Sequence, residues 1–427
     1  MSTRPPLTLY VHLPWCVRKC PYCDFNSHAA RAALPEDDYV TALLRDLEQE
    51  WPNSGGRPIE TIFLGGGTPS LFSPESIARL IRGIRERADL HTDAEITLEA
   101  NPGAAEAAIA PSLARGPRLD PIGDPSRFQG YRAAGVNRLS IGIQSFDDTK
   151  LKALGRIHGS AEALAAAKAA RAAGFDNFNL DLMFGLPDQS VADAIADVET
   201  ALSLAPAHLS TYQLTIEPNT LFHAQPPTLP DDDRIDDMQE AIGARLTAAG
   251  YRHYEVSAWA KPGRECRHNL NYWQFGDYLG IGAGAHGKIT TTGDAQGRAS
   301  AAGGRTPGAA VTRRWKVKHP DAYLATVGTA AAIGGETRPA GRELAFEFLL
   351  NALRLNEGFT DQLFRERAGL DLELIRPSIE RALARGLLIR DAHGIRPSEH
   401  GARFLNDLLV EFLPPAGAPA SSSRTLA

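Results

Sequence analysis

The chain has 427 residues, 43% hydrophobic and 22% charged, with a formal net charge of −6 at pH 7. That is enough for two or three domains and a sizeable core, and the acidic balance argues against a general nucleic-acid binder, which needs a basic footprint. There is no apolar run long enough for a membrane-spanning helix, no signal-peptide core in MSTRPPLTLY, and too few cysteines (four) for a disulfide framework, so a reducing cytoplasmic location is expected.

The first half reads as strand followed by helix, repeated. LTLYVHL (7–13) is a β-rich run that ends at a cysteine loop. PEDDYVTALLRDLEQEW (35–51) carries Tyr39, Leu43, Leu44 and Leu47 at helical spacing. ETIFLGG (60–66) is a short apolar strand; Ser73 then caps a helix with Pro74 at its first position. EITLEANP (95–102), NRLSIGIQSF (137–146), FNLDLMFGLP (178–187) and HLSTYQLTIEP (208–218) are the later strands. Between them lie helices over 160–174, stopped by Gly174, and over 190–204, capped by Ser190. Six strands alternating with helices predict an α/β fold with a parallel sheet, because parallel neighbours need crossovers. In a parallel α/β barrel the site is built where the strands end.

Residues 111–126 and 290–310 are poor in apolar residues and read as surface insertions, mobile or disordered. A second module starts near residue 340: helical runs over 342–355, 361–369 and 372–386, a hairpin-like LLIRDAHGIRPS (387–398) and a last helix through Leu409. The expected domains are a barrel with its cysteine loop over 1–290, an insertion and linker over 291–339, a mostly helical, winged-helix-like domain over 340–412, and a disordered tail over 413–427.

The chemistry begins at CVRKCPYC (16–23), where three of the four cysteines fall within eight residues. The spacing lets one loop point Cys16, Cys20 and Cys23 at a single centre, and sulfur ligands suit zinc or iron–sulfur clusters. A cubic four-iron cluster on three thiolates keeps one iron open. The alternative is a zinc knuckle with His28 or His12 as fourth ligand. GGGTP (65–69) follows a strand; its glycines let backbone approach a ligand closely, or simply make a tight strand-to-helix turn.

At these residues the chain resembles the radical S-adenosylmethionine (SAM) superfamily. The resemblance implies a partial (β/α)6 barrel and a [4Fe–4S] cluster on Cys16, Cys20 and Cys23. It also implies SAM on the open iron, cleavable to a 5′-deoxyadenosyl radical when the cluster is reduced. Tyr10, Gly66, Gly67, Thr68, Glu99, Gln144, Arg156 and Asp181 match, in order, the SAM-contacting positions of the oxygen-independent coproporphyrinogen III oxidase-like branch. The branch contains that oxidase, which decarboxylates propionate side chains, and heme chaperones of the HemW type.

Three places resemble the chaperones. Cys16 leaves no room for the oxidase's long N-terminal extension; Phe25 stands where the oxidase has a further cysteine; and HNLNYW (268–273) matches an HNxxYW signature tied to heme binding. In physical terms, the His268 imidazole could ligate heme iron. Tyr272 and Trp273 offer flat apolar faces for a porphyrin, and Asn269 could orient the histidine ring. Cys266 reads as an axial thiolate or a buried structural thiol. GIGAGAHG (280–287) suggests a dinucleotide loop only superficially, since no βαβ unit with a following acidic residue supports it; its His286 is a second-choice heme ligand. The implied partners are heme, a heme-accepting protein, an electron donor and a peripheral contact with a membrane-bound acceptor. Nucleic acid is not expected. Arg376, Arg381, Arg385, Arg390 and Arg396 would suit DNA phosphates, but they are interspersed with Glu and Asp in an acidic chain. The expectation is a radical SAM scaffold without coproporphyrinogen III oxidase activity.

Overall fold

The computed structural model describes residues 4–30, 33–104, 125–291 and 310–414. The strands of the main sheet are β1 Leu7–Leu13, β2 Ile59–Gly66, β3 Leu90–Ala100, β4 Arg138–Gln144, β5 Phe178–Phe184 and β6 His208–Gln213. They continue with β7 Arg252–Glu255, β8 Ala258–Ala260, β9 Asp277–Ile281, β10 His286–Thr291, β11 Ala310–Lys316 and β12 Ile333–Thr337. In space they run β12-β11-β10-β9-β1-β2-β3-β4-β5-β6-β8-β7. The expected strands β1 to β6 pair in parallel and in sequence order.

The helices between them form as the sequence dictates. Ser73 accepts from the Ser76 amide and Ser190 from the Asp193 amide, each filling a helix N-terminal vacancy that backbone alone cannot fill. Gly174 takes φ +84° after helix Ser160–Ala172, a conformation a β-carbon penalises. Leu9, Val11, Ile62, Leu64, Leu98, Ile141 and Leu180 are fully or almost fully buried, as expected for parallel strands covered by helices.

Two features differ from expectation. A seventh parallel strand, β9, joins the open side of β1, with β10, β11 and β12 continuing antiparallel. So the GIGAGAHG segment is the end of one strand, a turn and the start of the next. Residues 310–337, assigned to an insertion and linker, supply β11, β12 and helix Pro320–Thr326 to the same body. The low hydrophobicity nearby hid them, because their pairing partners are remote in sequence. Most of the expected insertions, over 105–124 and 292–309, and the tail from 415 lie outside the described residues. No helix among the described residues is long and apolar enough to cross a membrane.

The C-terminal module has helices Gly341–Ala352, Asp361–Ala368 and Arg376–Ala384, and a hairpin of Leu388–Asp391 with Gly394–Pro397. Phe348, Phe359, Phe364, Ile379 and Ile395 form its core, which Phe275 and Val311 of the sheet body extend. The five arginines considered for phosphate binding pair with carboxylates: Arg376 with Glu373, Arg381 and Arg385 with Glu411, Arg390 with Asp361, and Arg396 with Asp391.

Asp277, at the start of β9, fastens the added strands to the parallel core. It accepts from Arg57 (2.8 Å), from the buried Lys288 ammonium (3.0 Å) and from the Thr290 amide and hydroxyl. Against the cost of burial, these partners hold its carboxyl below the usual range. Asp277→Asn leaves Lys288 buried without its counter-charge and is expected to cost about 3–5 kcal/mol in urea unfolding. Asp361→Asn in the exposed Arg390 pair should change stability little.

Candidate functional site

The six strands deliver their C-terminal ends to one cavity of about 950 Å³, and β1 leads directly into the cysteine loop that closes it. That loop is pinched at its base: Trp15 and Cys16 pair in parallel with His28 and Ala29. It is seated on the end of β2 by two amide bonds, Gly67 N–H to the Leu13 carbonyl and Thr68 N–H to the Trp15 carbonyl, both 2.8 Å. Only glycine permits this approach. Gly66 takes φ +111°, and a β-carbon there would lie 2.4 Å from the His12 ring; one at Gly67 would lie 2.6 Å from the Trp15 oxygen. The glycine run is therefore both the tight turn and the close approach considered for it.

Cys16, Cys20 and Cys23 are half-buried, unpaired, and all line the cavity. Thr68 Oγ1 donates to Cys16 Sγ at 3.4 Å, and Arg156 Nη1 donates to Cys20 Sγ at 3.6 Å. Burial pushes the Cys16 and Cys23 thiols above their usual range. A guanidinium and a hydroxyl aimed at sulfur are what a bound anionic thiolate cluster needs, so the donor set fits the cluster. The zinc alternative loses one fourth ligand. His12 Nε2 donates to the Asn26 carbonyl (2.9 Å), and Nδ1 accepts from the Tyr10 hydroxyl (2.9 Å), leaving no lone pair free. Among the described residues no group of three or more His, Cys, Asp or Glu could hold a single metal ion.

Every other expected SAM position lines the same cavity: Tyr10, Gly66, Gly67, Thr68, Glu99, Gln144, Arg156 and Asp181. Glu99 accepts the Gly66 amide at 3.1 Å, tying β3 to the glycine cradle. Asp181 is held by Asn179 (2.7 Å) and Ser140 (3.2 Å). Gln144 sits at a bulge where β4 ends, with φ +71°, a conformation uncommon outside glycine. Sequence reasoning missed Arg138. It is 2% exposed and lines the cavity, and its Nε has no hydrogen-bond partner. Its signal was an arginine opening an otherwise apolar strand, NRLSIGI. Arg354, from the C-terminal module, was missed too; it lies over the Trp273 ring at 4.3 Å and bonds Glu255 at 3.0 Å.

The HNLNYW segment forms helix Arg267–Trp273, and His268, Asn269, Tyr272 and Trp273 reach the cavity. His268 is 1% exposed, and both its ring nitrogens are engaged: Nδ1 with the Thr61 hydroxyl (2.6 Å) and Nε2 with the Tyr272 hydroxyl (2.9 Å). Thr61 and Tyr272 thus do the orienting expected of Asn269. Burial and the nearby Arg138 lower the His268 pKa to about 3, keeping the ring neutral. Cys266 is buried against Glu95 (3.6 Å), and burial pushes its thiol up to about 12: a structural thiol. The GIGAGAHG turn packs on the cysteine loop. Asn26 Nδ2 donates to the Ala283 carbonyl (3.0 Å), and a β-carbon at Gly284 would meet that nitrogen at 2.3 Å.

Burial, reinforced by Asp181, pushes the Glu99 carboxyl up to about 8. A carboxyl raised above its unfolded value contributes stability at low pH that is lost as pH climbs toward 8. The ligand-free chain should therefore lose about 4 kcal/mol between about pH 4.5 and 8 from this group. Glu99→Gln should flatten that part of the pH profile of thermal unfolding.

Comparison with known proteins agrees with this geometry. Residues 10–201 match the radical SAM superfamily and residues 340–404 the HemN C-terminal domain. The chain is 48% identical to the heme chaperone HemW of Escherichia coli, over 97% of this chain and 100% of that protein. It is 46% identical to HemW of Haemophilus influenzae (97% and 99% covered). It is also 38% identical to radical S-adenosyl methionine domain-containing protein 1, mitochondrial, of Mus musculus (97% and 88%). The structure of E. coli coproporphyrinogen III oxidase, HemN, superposes with TM-score 0.74 at 23% identity, covering 96% of this chain and 90% of that one, which shows a shared fold. On its sequence and its fold together, the chain belongs to the HemW heme chaperone family of radical SAM proteins.

Proposed function

We propose that this protein holds a [4Fe–4S] cluster on Cys16, Cys20 and Cys23, binds SAM in the central cavity, and delivers heme to a heme-requiring protein in the cytoplasm. One observation carries the cofactor part: three thiols, the glycine cradle and two half-buried carboxyls line a single cavity. The cluster would supply an iron without a protein ligand, open to a small molecule such as SAM. The chain's own groups do the positioning. Thr68 and Arg156 donate to cysteine sulfur, lowering the cost of holding negative charge in a partly buried loop. His12 fixes the Tyr10 hydroxyl at the rim. Glu99 and Asp181 place carboxyls where a ligand's hydroxyl or amino groups would otherwise go unpaired at depth.

The delivery part is supported by the relatives' shared description as heme chaperones and by Phe25, which offers an exposed apolar ring where the oxidase would have a thiol. The reading requires an electron donor and a heme acceptor, a membrane-bound one touched peripherally included.

After anaerobic reconstitution the wild type should carry a brown iron–sulfur chromophore that Cys20→Ala loses. Retention of zinc with no iron would defeat the cluster assignment. With reductant, SAM and coproporphyrinogen III added, no protoporphyrinogen IX should form; steady turnover to that product would replace the chaperone reading with the oxidase.

A further inference from the structure

Beside the central cavity lies a second cleft of about 700 Å³, between the cysteine loop and β9, β10 and β11. The two share Tyr10, Phe25, Glu99, Tyr272 and Trp273, so the cleft opens against the same aromatic wall. Its size lies within the range of cofactor pockets. On the reading above, the chain must hold heme, and heme needs three things: an axial donor with a free lone pair, a flat apolar surface, and cations for its propionates.

The histidines sort themselves by hydrogen bonding. His268 lines the central cavity but has both ring nitrogens engaged. His12 is fully engaged by Tyr10 and Asn26. His28 is held by the Asn26 side chain (3.2 Å) and by the Lys318 backbone. His286, exposed at the start of β10, has no hydrogen bond to either ring nitrogen among the described residues. Its ring lies near-parallel to that of Trp315, with centroids 5.9 Å apart and planes at 22°, a contact that uses neither nitrogen. Partial desolvation of its ring in the cleft, with Lys318 and Arg313 nearby, lowers its pKa and favours the neutral imidazole.

The rest of the cleft is complementary. Phe25 is 62% exposed, an apolar face with nothing packed over most of it. Arg313 and Lys288 are taken by Glu347 and Asp277. Among the described residues Lys318 is exposed and makes no ion pair, and the side-chain hydrogen bond of Lys19 goes to the Phe25 carbonyl (3.0 Å).

We propose that heme docks in this side cleft with the His286 imidazole on its iron, its ring against Phe25, and its propionates toward Lys318 and Lys19. His268 is then a positioning residue, which holds Tyr272 in the wall common to both cavities.

The test is a hemin titration of the full-length reconstituted protein followed by Soret absorption, with resonance Raman of the iron–histidine stretch on a dithionite-reduced portion. The proposal rests on the heme-chaperone reading, and the wild type separates the two: no hemin binding at all ends that reading and this inference with it. Given wild-type binding, His286→Ala should lose the iron–histidine signature, and added imidazole should restore it while the cluster absorbance stays unchanged. Lys318→Glu should weaken hemin binding about tenfold, as for loss of one charged contact, and leave the axial signature intact. His268→Ala should keep the signature. An unaltered spectrum in His286→Ala, or loss of the signature in His268→Ala alone, overturns the assignment to His286 and leaves heme binding itself standing.

Discussion

The site depends on one steric condition: the backbone at the end of β2 must touch the cysteine loop. Gly66 and Gly67 meet it. With any side chain there, the loop could not keep its amide bonds to Leu13 and Trp15, because a β-carbon would overlap His12 or the Trp15 oxygen. The glycine run, the three thiols and the Glu99 carboxyl are thereby locked into one unit, since Glu99 takes the Gly66 amide. The other strands contribute to a rim whose position β1 and β2 have already set.

The second consequence concerns the outer strands. β9 lies on the far side of β1, and its turn packs Ala283 and Gly284 against Asn26 of the cysteine loop. The loop is therefore held from two directions, by β2 on one side and by the β9–β10 turn on the other. The Asp277 network is the buried electrostatic anchor of that second support, and it explains charged residues in a sheet interior. The side cleft lies beside this support, lined by Phe25 of the loop and by His286 and Lys318.

Oxidase and chaperone share this fold, as the superposition with the oxidase shows, so the fold cannot separate them. The difference must lie in side chains. Phe25 puts an exposed apolar ring at the junction of the two cavities.

The local features were legible in the sequence because they rest on short-range physics. Alternation and caps marked β1 to β6 and their helices, and the cysteine spacing marked a loop whose three thiols line the cavity. The positions that the resemblance implies for SAM line that same cavity. What the sequence could not decide depended on partners far away along the chain. Residues 310–337 look like linker until β11 finds β10 and β12. Arg138 reads as a strand-end charge until the fold buries it at the cavity. His268 offers an imidazole on paper, but Thr61, some two hundred residues earlier, and Tyr272 take both its nitrogens. His286, by contrast, makes no ring-nitrogen hydrogen bond among the described residues and lies against the Trp315 ring. Sequence fixes which donors exist; only tertiary packing decides which of them are already spent.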